Sequence, residues 1–172
     1  MQREGFFKEG LPDGVWTYWN KKGEKDFDFD FGTGLEHIAL EDLVEREATF
    51  FKLGDDSPFT GIITQENPET DYLFLGRTKN GKKDGQWVKW FPSGKDVPEI
   101  ILVEVPAPEP EVPWSGGKQE QGGFKEGQKH GKWTEWYDNE HIKSHGEYKD
   151  GIMEGYWTFY HRNGIKEKEG SL

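Results

Sequence analysis

The chain has no cysteine and only two methionines among its 172 residues. Without thiols there are no disulfide staples, no lipidation at cysteine and no thiolate metal sites, and either redox environment is compatible. No apolar run approaches the roughly 18–20 residues that carry a helix across a bilayer. No hydrophobic stretch follows Met1-Gln2-Arg3-Glu4-Gly5, so no signal peptide is visible. The cytoplasm is therefore the default expectation, with periplasm or envelope for a mature or trimmed form of a longer chain. Basic charge is also scarce: 22 Lys and Arg stand against 33 Asp and Glu, a net charge of -11. Nucleic-acid binding needs a basic footprint and attraction to anionic membranes needs cations, so neither is expected. Hydrophobic residues make up only 32% of the chain, and the mean hydropathy is -0.96.

What the chain has instead is 23 Gly, 8 Trp, 6 Tyr and 12 Phe. The rings supply enough apolar area to exclude disorder, but too few aliphatics remain for a thick core. Four segments align without gaps. They begin at Gly5, Gly76, Gly122 and Gly146 and share the pattern G-x-[FYT]-K-[END]-G-x3-G-x-W-[TV]-x-[WY]. Seven of the eight Trp fall inside it. The spacing from Gly131 to Gly155 is 24 residues, from Gly85 to Gly131 46, and from Gly14 to Gly85 71, all near multiples of 23–24. A degenerate copy, Phe51-Lys52-Leu53-Gly54 followed by Gly61-Ile62-Ile63-Thr64, fills one gap, and slots near Ile38 and Glu109 lack the motif. Gly170 lies 24 residues after Gly146, in phase with a further copy.

Lys-Asn-Gly, Lys-Asp-Gly and Lys-Glu-Gly are turn signals, and Trp-Thr-x-Trp/Tyr has high strand propensity. Second turns are expected at Lys22-Gly23, Ser93-Gly94, Asp138-Asn139 and Asn163-Gly164. Each unit then reads as a β-hairpin. Stacked hairpins predict an all-β fold, an elongated single-layer antiparallel sheet of about 12–14 strands and roughly 60 Å. Alternation puts Trp16, Trp87, Trp133 and Trp157 in a column on one face, and Trp19, Trp90, Trp136 and Tyr160 on the other. Gly14, Gly85, Gly131 and Gly155 complete the structural core of the repeat.

The units Gly127-Gln-Lys-His-Gly131-Lys-Trp133 and Asn80-Gly81-Lys-Lys-Asp-Gly85-Gln-Trp87 resemble the MORN repeat, and more closely its 23–24-residue bacterial variant in the YwqK-type toxin–antitoxin antitoxins. Residues 40–46 and 54–61 look like the non-repeat lead-in of that family. The resemblance covers roughly 110–120 residues and implies a non-enzymatic protein that acts by binding. The chain departs from the family by placing a full repeat before the lead-in and an insert after Gly94.

Two segments do not repeat. Residues 24–47 hold nine acids against Lys25 and Arg46, so most of the net charge is local. Residues 98–113 hold five prolines around the strand-like Ile100–Val105 and read as a semi-rigid linker. The expected organisation is a repeat module over 1–97 with the acidic insert, a linker over 98–114, and C-terminal repeats over 115–172.

Asp26-Phe-Asp28-Phe-Asp30-Phe-Gly32 fails as a calcium loop, because Phe31 and His37 stand where an EF-hand needs Gly and Glu. It reads as a strand with Phe27, Phe29 and Phe31 buried and the aspartates solvated. Asp30-Phe31-Gly32 lacks every companion motif of a kinase. His141 and His145 share a strand face but sit about 13 Å apart with no third ligand, so no metal is expected; His130 reads as a structural turn residue. No nucleophile elbow, phosphate loop or dinucleotide fingerprint occurs, and no cofactor or enzymatic activity is expected.

The aromatic columns hold neighbouring hairpins together, or leave part of one face as a binding groove. The candidate partner-binding residues are Asp26, Asp28 and Asp30 of the acidic insert with Trp19, Trp90, Trp136 and Tyr160. The leading reading is sequestration of a protein partner in the manner of an antitoxin or immunity protein, the acids steering a basic target. The alternatives are a scaffold subunit of an envelope or secretion assembly, and binding of glycans or lipid head groups. Open strand edges at 5–8 and 170–172 leave strand addition or a homo-oligomer possible.

Overall fold

The computed structural model describes residues 2–20, 22–65, 74–91 and 117–172. The fold is all-β, with antiparallel sheets of stacked hairpins. Its strands are β1 (Gln2–Lys8), β2 (Leu11–Trp19), β3 (Lys25–Asp30), β4 (His37–Ala39), β5 (Leu43–Arg46), β6 (Thr49–Lys52), β7 (Gly61–Gln65), β8 (Phe74–Lys79), β9 (Lys82–Trp90), β10 (Lys118–Lys125), β11 (Gln128–Trp136), β12 (Ile142–Lys149), β13 (Ile152–Tyr160) and β14 (Lys166–Ser171). A single 3-10 turn, Leu40–Asp42, separates β4 from β5. The linker over 98–114, the strand expected at Ile100–Val105 and the turn at Ser93-Gly94 lie outside the described residues. On either side of them, β9 and β10 are hydrogen-bonded neighbours in one sheet.

The three glycines of each repeat have separate tasks. Glu9-Gly10, Asn80-Gly81, Glu126-Gly127 and Asp150-Gly151 all have positive φ at both residues, which makes tight two-residue hairpin turns of the kind that matches strand twist. Four residues on, Gly14, Gly85, Gly131 and Gly155 have φ between +69° and +93°. They sit where the register slips, for instance between Gly122↔Trp133 and Gly123↔His130, so each second strand carries a bulge. The first glycine is a bed for the tryptophan. A Cβ on Gly5, Gly76, Gly122 or Gly146 would lie 2.4, 2.4, 1.8 or 2.3 Å from the ring of Trp16, Trp87, Trp133 or Trp157. Outer turns at 20–24, 137–141 and 161–165 close alike, with Asn20, Tyr137 and His161 each donating a backbone N–H to the carbonyl four residues on.

The single continuous layer expected from the repeats is not what forms. The strands divide into a nine-stranded sheet, ordered β14-β13-β12-β11-β10-β9-β8-β7-β4, a three-stranded sheet β1-β2-β3 and a two-stranded hairpin β5-β6. β4 joins β7 in parallel. Both small sheets pack on the β7–β9 part of the large one, so that part is a three-layer structure, while among the described residues β10–β14 has one layer. The cause is β3. Its Phe27 and Phe29, with Phe31 just beyond it, align with Trp16 and Tyr18 of β2 to give one face of five rings, each at most 5% exposed. Burial of each is worth about 1.5–3 kcal/mol, and the five together are on the order of 10 kcal/mol, comparable to the whole stability of a domain. A hairpin left in a single-layer row would forfeit that. The face is instead buried on Ile62, Leu75, Val88 and Trp90 of the large sheet. Trp16 therefore leaves the column predicted for it and packs on the opposite face from Trp87, Trp133 and Trp157.

The degenerate repeat also departs from a hairpin. β7 takes its place beside β8 with Ile63 where the other copies have Trp. β6 pairs with β5 instead, and Phe50 and Phe59 fold over Ile63 and Trp87. Gly81, whose carbonyl accepts from the Phe50 N–H and whose N–H donates to the Phe59 carbonyl, pins that hairpin on the tryptophan face.

Along the single-layer half, that face carries a row of edge-to-face rings: Trp87–Phe124 (5.6 Å), Phe124–Trp133 (5.2 Å), Trp133–Tyr148 (5.9 Å) and Tyr148–Trp157 (5.1 Å). Lys83 and Lys129, at the same repeat position, lie over Trp87 and Trp133 at 4.5 and 4.0 Å. The Gly122 bed below and the Lys129 stem above bury Trp133 to 2% exposure, and Trp157, over Gly146, is 1% exposed.

Candidate functional site: a groove at the step between layers

The reverse face of the large sheet carries Trp90, Trp136 and Tyr160, as the alternation predicts. The three-stranded layer covers the first and stops before the second. Trp90 is 2% exposed beneath Phe27, 6.0 Å away; as a partner-contacting residue it is corrected to a core residue. Trp136 emerges half-buried beyond the step. There a groove of ≈ 410 Å³ runs between the edge of the upper layer and the reverse face of β9–β11. Asp26 and Lys118 form one wall, Trp136 closes an end, and Gln86, Gln121, Thr134 and Lys132 reach into it over the glycine backbone of Gly122-Gly123.

Lys118 organises the wall. Its ammonium forms an ion pair with Asp26 and donates to Gln121 Oε1 at 3.1 Å. It also lies over the rings of Phe27 (5.2 Å) and Trp136 (4.9 Å). The two side chains of the pair are 13% and 18% exposed, well shielded from screening by salt. The pair ties residue 26 to residue 118 and thus the upper layer to the large sheet.

The structure brings together only two of the sequence-predicted contact residues, Asp26 and Trp136. Asp26 is not a free, solvated acid as expected, because the register slips between Tyr18↔Phe27 and Trp19↔Lys25 and turns it toward Lys118. Asp28 and Asp30 do project outward, away from the groove. Asp28 accepts from Lys25 Nζ at 2.7 Å and Thr17 Oγ1 at 2.8 Å, and these bonds hold its carboxyl below the usual range, the Lys25 bond foremost. Asp30 accepts from the Gly32 N–H. Trp19 is half-buried at the end of β2, and Tyr160 is half-buried with its hydroxyl 3.3 Å from His145 Nε2. Neither lines the groove.

The histidines behave as ordinary polar groups. His141 Nδ1 contacts the Arg162 carbonyl at 2.9 Å, and His130 faces Asp150 at 3.4 Å beside its turn. No cluster of three or more metal-capable side chains occurs among the described residues. No described helix is long and apolar enough to cross a membrane.

Lys118, Gln121, Gln86, Lys132 and Thr134 escaped the sequence reading. One signal was present. Gln86 and Lys132 follow the bulge glycine in the two internal repeats, whereas Val15 and Tyr156 occupy that place in the outer ones. Both polar copies line the groove, and neither apolar copy does. No family model, curated protein or solved structure matches the chain.

Proposed function

We propose that the protein works by binding another protein on the reverse face of its large sheet, sequestering it in the manner of an antitoxin or immunity protein. The observation that carries this reading is the groove, where an aromatic row passes from covered Trp90 to accessible Trp136 beside convergent amide, hydroxyl and ammonium groups. A half-buried tryptophan ringed by polar side chains is the composition of an interface anchor. The outward Asp28 and Asp30 add a negative field on the adjoining layer that speeds encounter with a basic partner. The resemblance of the repeats to MORN-type antitoxins points the same way.

The test is a pull-down from the host, followed by reconstitution with the purified partner and co-expression for growth rescue. The baits are the wild type, Trp136→Ala, and Asp28→Asn with Asp30→Asn, leaving Asp26 in its ion pair. One stoichiometric partner, lost with Trp136→Ala and bound more slowly by the double variant, supports the reading. A set of large envelope proteins retained by all three baits would make the chain a scaffold subunit. Quenching of tryptophan fluorescence by a polysaccharide, abolished by Trp136→Ala, would replace the protein partner with a glycan.

A further inference from the structure

The upper layer is ordered β1-β2-β3, and β3 is its boundary at the step. β3 is an internal strand, entered from the turn at 20–24 and left through residues 31–36 toward β4. Its backbone is satisfied on one side only. Phe31 donates its N–H to the Gly14 carbonyl, on the side of β2. Successive residues of an extended strand direct their N–H and C=O groups to opposite sides, so those of Phe29 and Phe27 also face β2. Asp28 and Asp30 turn theirs the other way, where nothing among the described residues pairs with them. Both residues are exposed.

An open edge is ordinarily blunted by proline, by a bulge or by a covering segment. Over Phe27–Asp30 the edge has neither proline nor bulge. The two faces of β3 are unlike: Asp28 and Asp30 project outward, while Phe27 and Phe29 point down onto the large sheet and are buried. A strand laid beside β3 continues both faces. Its inward side chains fall at the step, where the large sheet runs on past its cover and Trp136 stands half-buried under the Lys118 ammonium. Its outward side chains meet the two aspartates. Asp28 already shares Lys25, whereas among the described residues the Asp30 carboxylate accepts from the Gly32 N–H and has no cationic partner.

We infer that the partner protein adds an extended strand to the free side of β3, with basic side chains outward opposite Asp28 and Asp30 and apolar ones inward over Trp136. This mode of binding rests on the groove being a protein interface, as proposed above. Main-chain hydrogen bonds to Asp28 and Asp30 give such a strand its affinity, and the unlike faces give its specificity. The acids also choose between occupants. A second copy of β3 in that place would set acid opposite acid, which disfavours self-pairing, whereas lysine or arginine opposite Asp30 supplies the cation it lacks.

The probe is a fluorescent peptide of 6 residues, the length of β3, alternating lysine and valine and titrated onto the full chain by fluorescence anisotropy. Two further peptides carry N-methyl groups on the lysine amides or on the valine amides. Composition and charge are then identical, while opposite edges of the strand lose their N–H groups. The expected result is saturable binding of the unmodified peptide, weakened about tenfold or more by one methylation pattern and little by the other, a tenfold change being about 1.4 kcal/mol. Loss with the lysine pattern marks an antiparallel strand, and loss with the valine pattern a parallel one. Equal effects of the two patterns, or no binding of the unmodified peptide, would overturn the proposal. Trp136→Ala separates strand addition from the groove. Unequal patterns that Trp136→Ala leaves untouched keep the strand and refute the groove as anchor; loss with Trp136→Ala but equal patterns keeps the groove and refutes the strand. A concentration-dependent dimer of the chain alone, dissolved by the peptide, would also overturn the proposal and make a second copy the occupant.

Discussion

Three tryptophans in the row look interchangeable, yet replacing each by phenylalanine should have unequal effects. Trp157 Nε1 donates to the Glu147 carbonyl at 3.1 Å and Trp87 Nε1 to the Arg77 carbonyl at 2.7 Å. Gly123 stands where the third repeat would offer the same acceptor, but Trp133 Nε1 is buried with no acceptor among the described residues. Each Trp→Phe change removes part of a buried ring, at a cost of about 1–2 kcal/mol. Trp157→Phe also loses a hydrogen bond worth about 1 kcal/mol, for a total of about 2–3. Trp133→Phe removes an unsatisfied donor whose burial costs about 1–3 kcal/mol, which offsets most of the lost packing. At about 2–4 °C per kcal/mol for a chain of this size, Trp157→Phe should melt roughly 4–8 °C below Trp133→Phe. Trp87→Phe should fall with Trp157→Phe. The assay is thermal unfolding followed by far-UV circular dichroism, supported by urea midpoints. Equal losses at positions 133 and 157 would refute the argument and show that the indole nitrogen plays no part in holding the rings on their glycines.

The turn between β5 and β6 has Glu47 at φ 50° and Ala48 at φ 57°, a two-residue reversal without glycine. Ala48→Gly should raise the urea midpoint by an amount equivalent to about 0.5–1 kcal/mol, and a lower midpoint would show that the turn is not under strain. Lys83 is pushed below the usual lysine range by burial over Trp87 and Phe124, so its charged form costs the fold stability up to that lowered pKa and the penalty fades as pH rises toward 10.5. Lys83→Met, which copies Met153 at the same repeat position, should be at least as stable as the wild type at pH 7 and lose its advantage toward pH 10.5. An advantage that grows with pH over that window would contradict the sign.

Local structure was legible because each repeat states its own turns and pleat. Asp150-Gly151 marks a reversal, and the period-two run of Phe27, Phe29 and Phe31 marks a strand with one dry face. What escaped was how the pieces meet. Trp16 and Trp157 have equivalent neighbours in sequence, yet one is buried between sheets and the other in a single-layer row. The difference arises from β3, through a pairing that the repeat period does not encode. The groove was legible only in part for the same reason: Trp136 lies within a motif, while Lys118 and Gln121 depend on where another layer happens to stop. The shared first glycine was visible without its task, which is steric and needs the ring opposite it.

The order in which the layers are made has a consequence for biosynthesis. The five-ring face of β2 and β3 is complete once Phe31 has been made, but its cover is finished only by Val88 and Trp90, almost 60 residues later. At ribosomal rates of about 5–20 residues per second that is an interval of roughly 3–12 s, during which the stickiest surface of the nascent chain has no partner of its own. The C-terminal hairpins face no such delay, since each finds its neighbour already in place. The early half of the chain is therefore where a chaperone has most to shield, and where slow translation would do most harm.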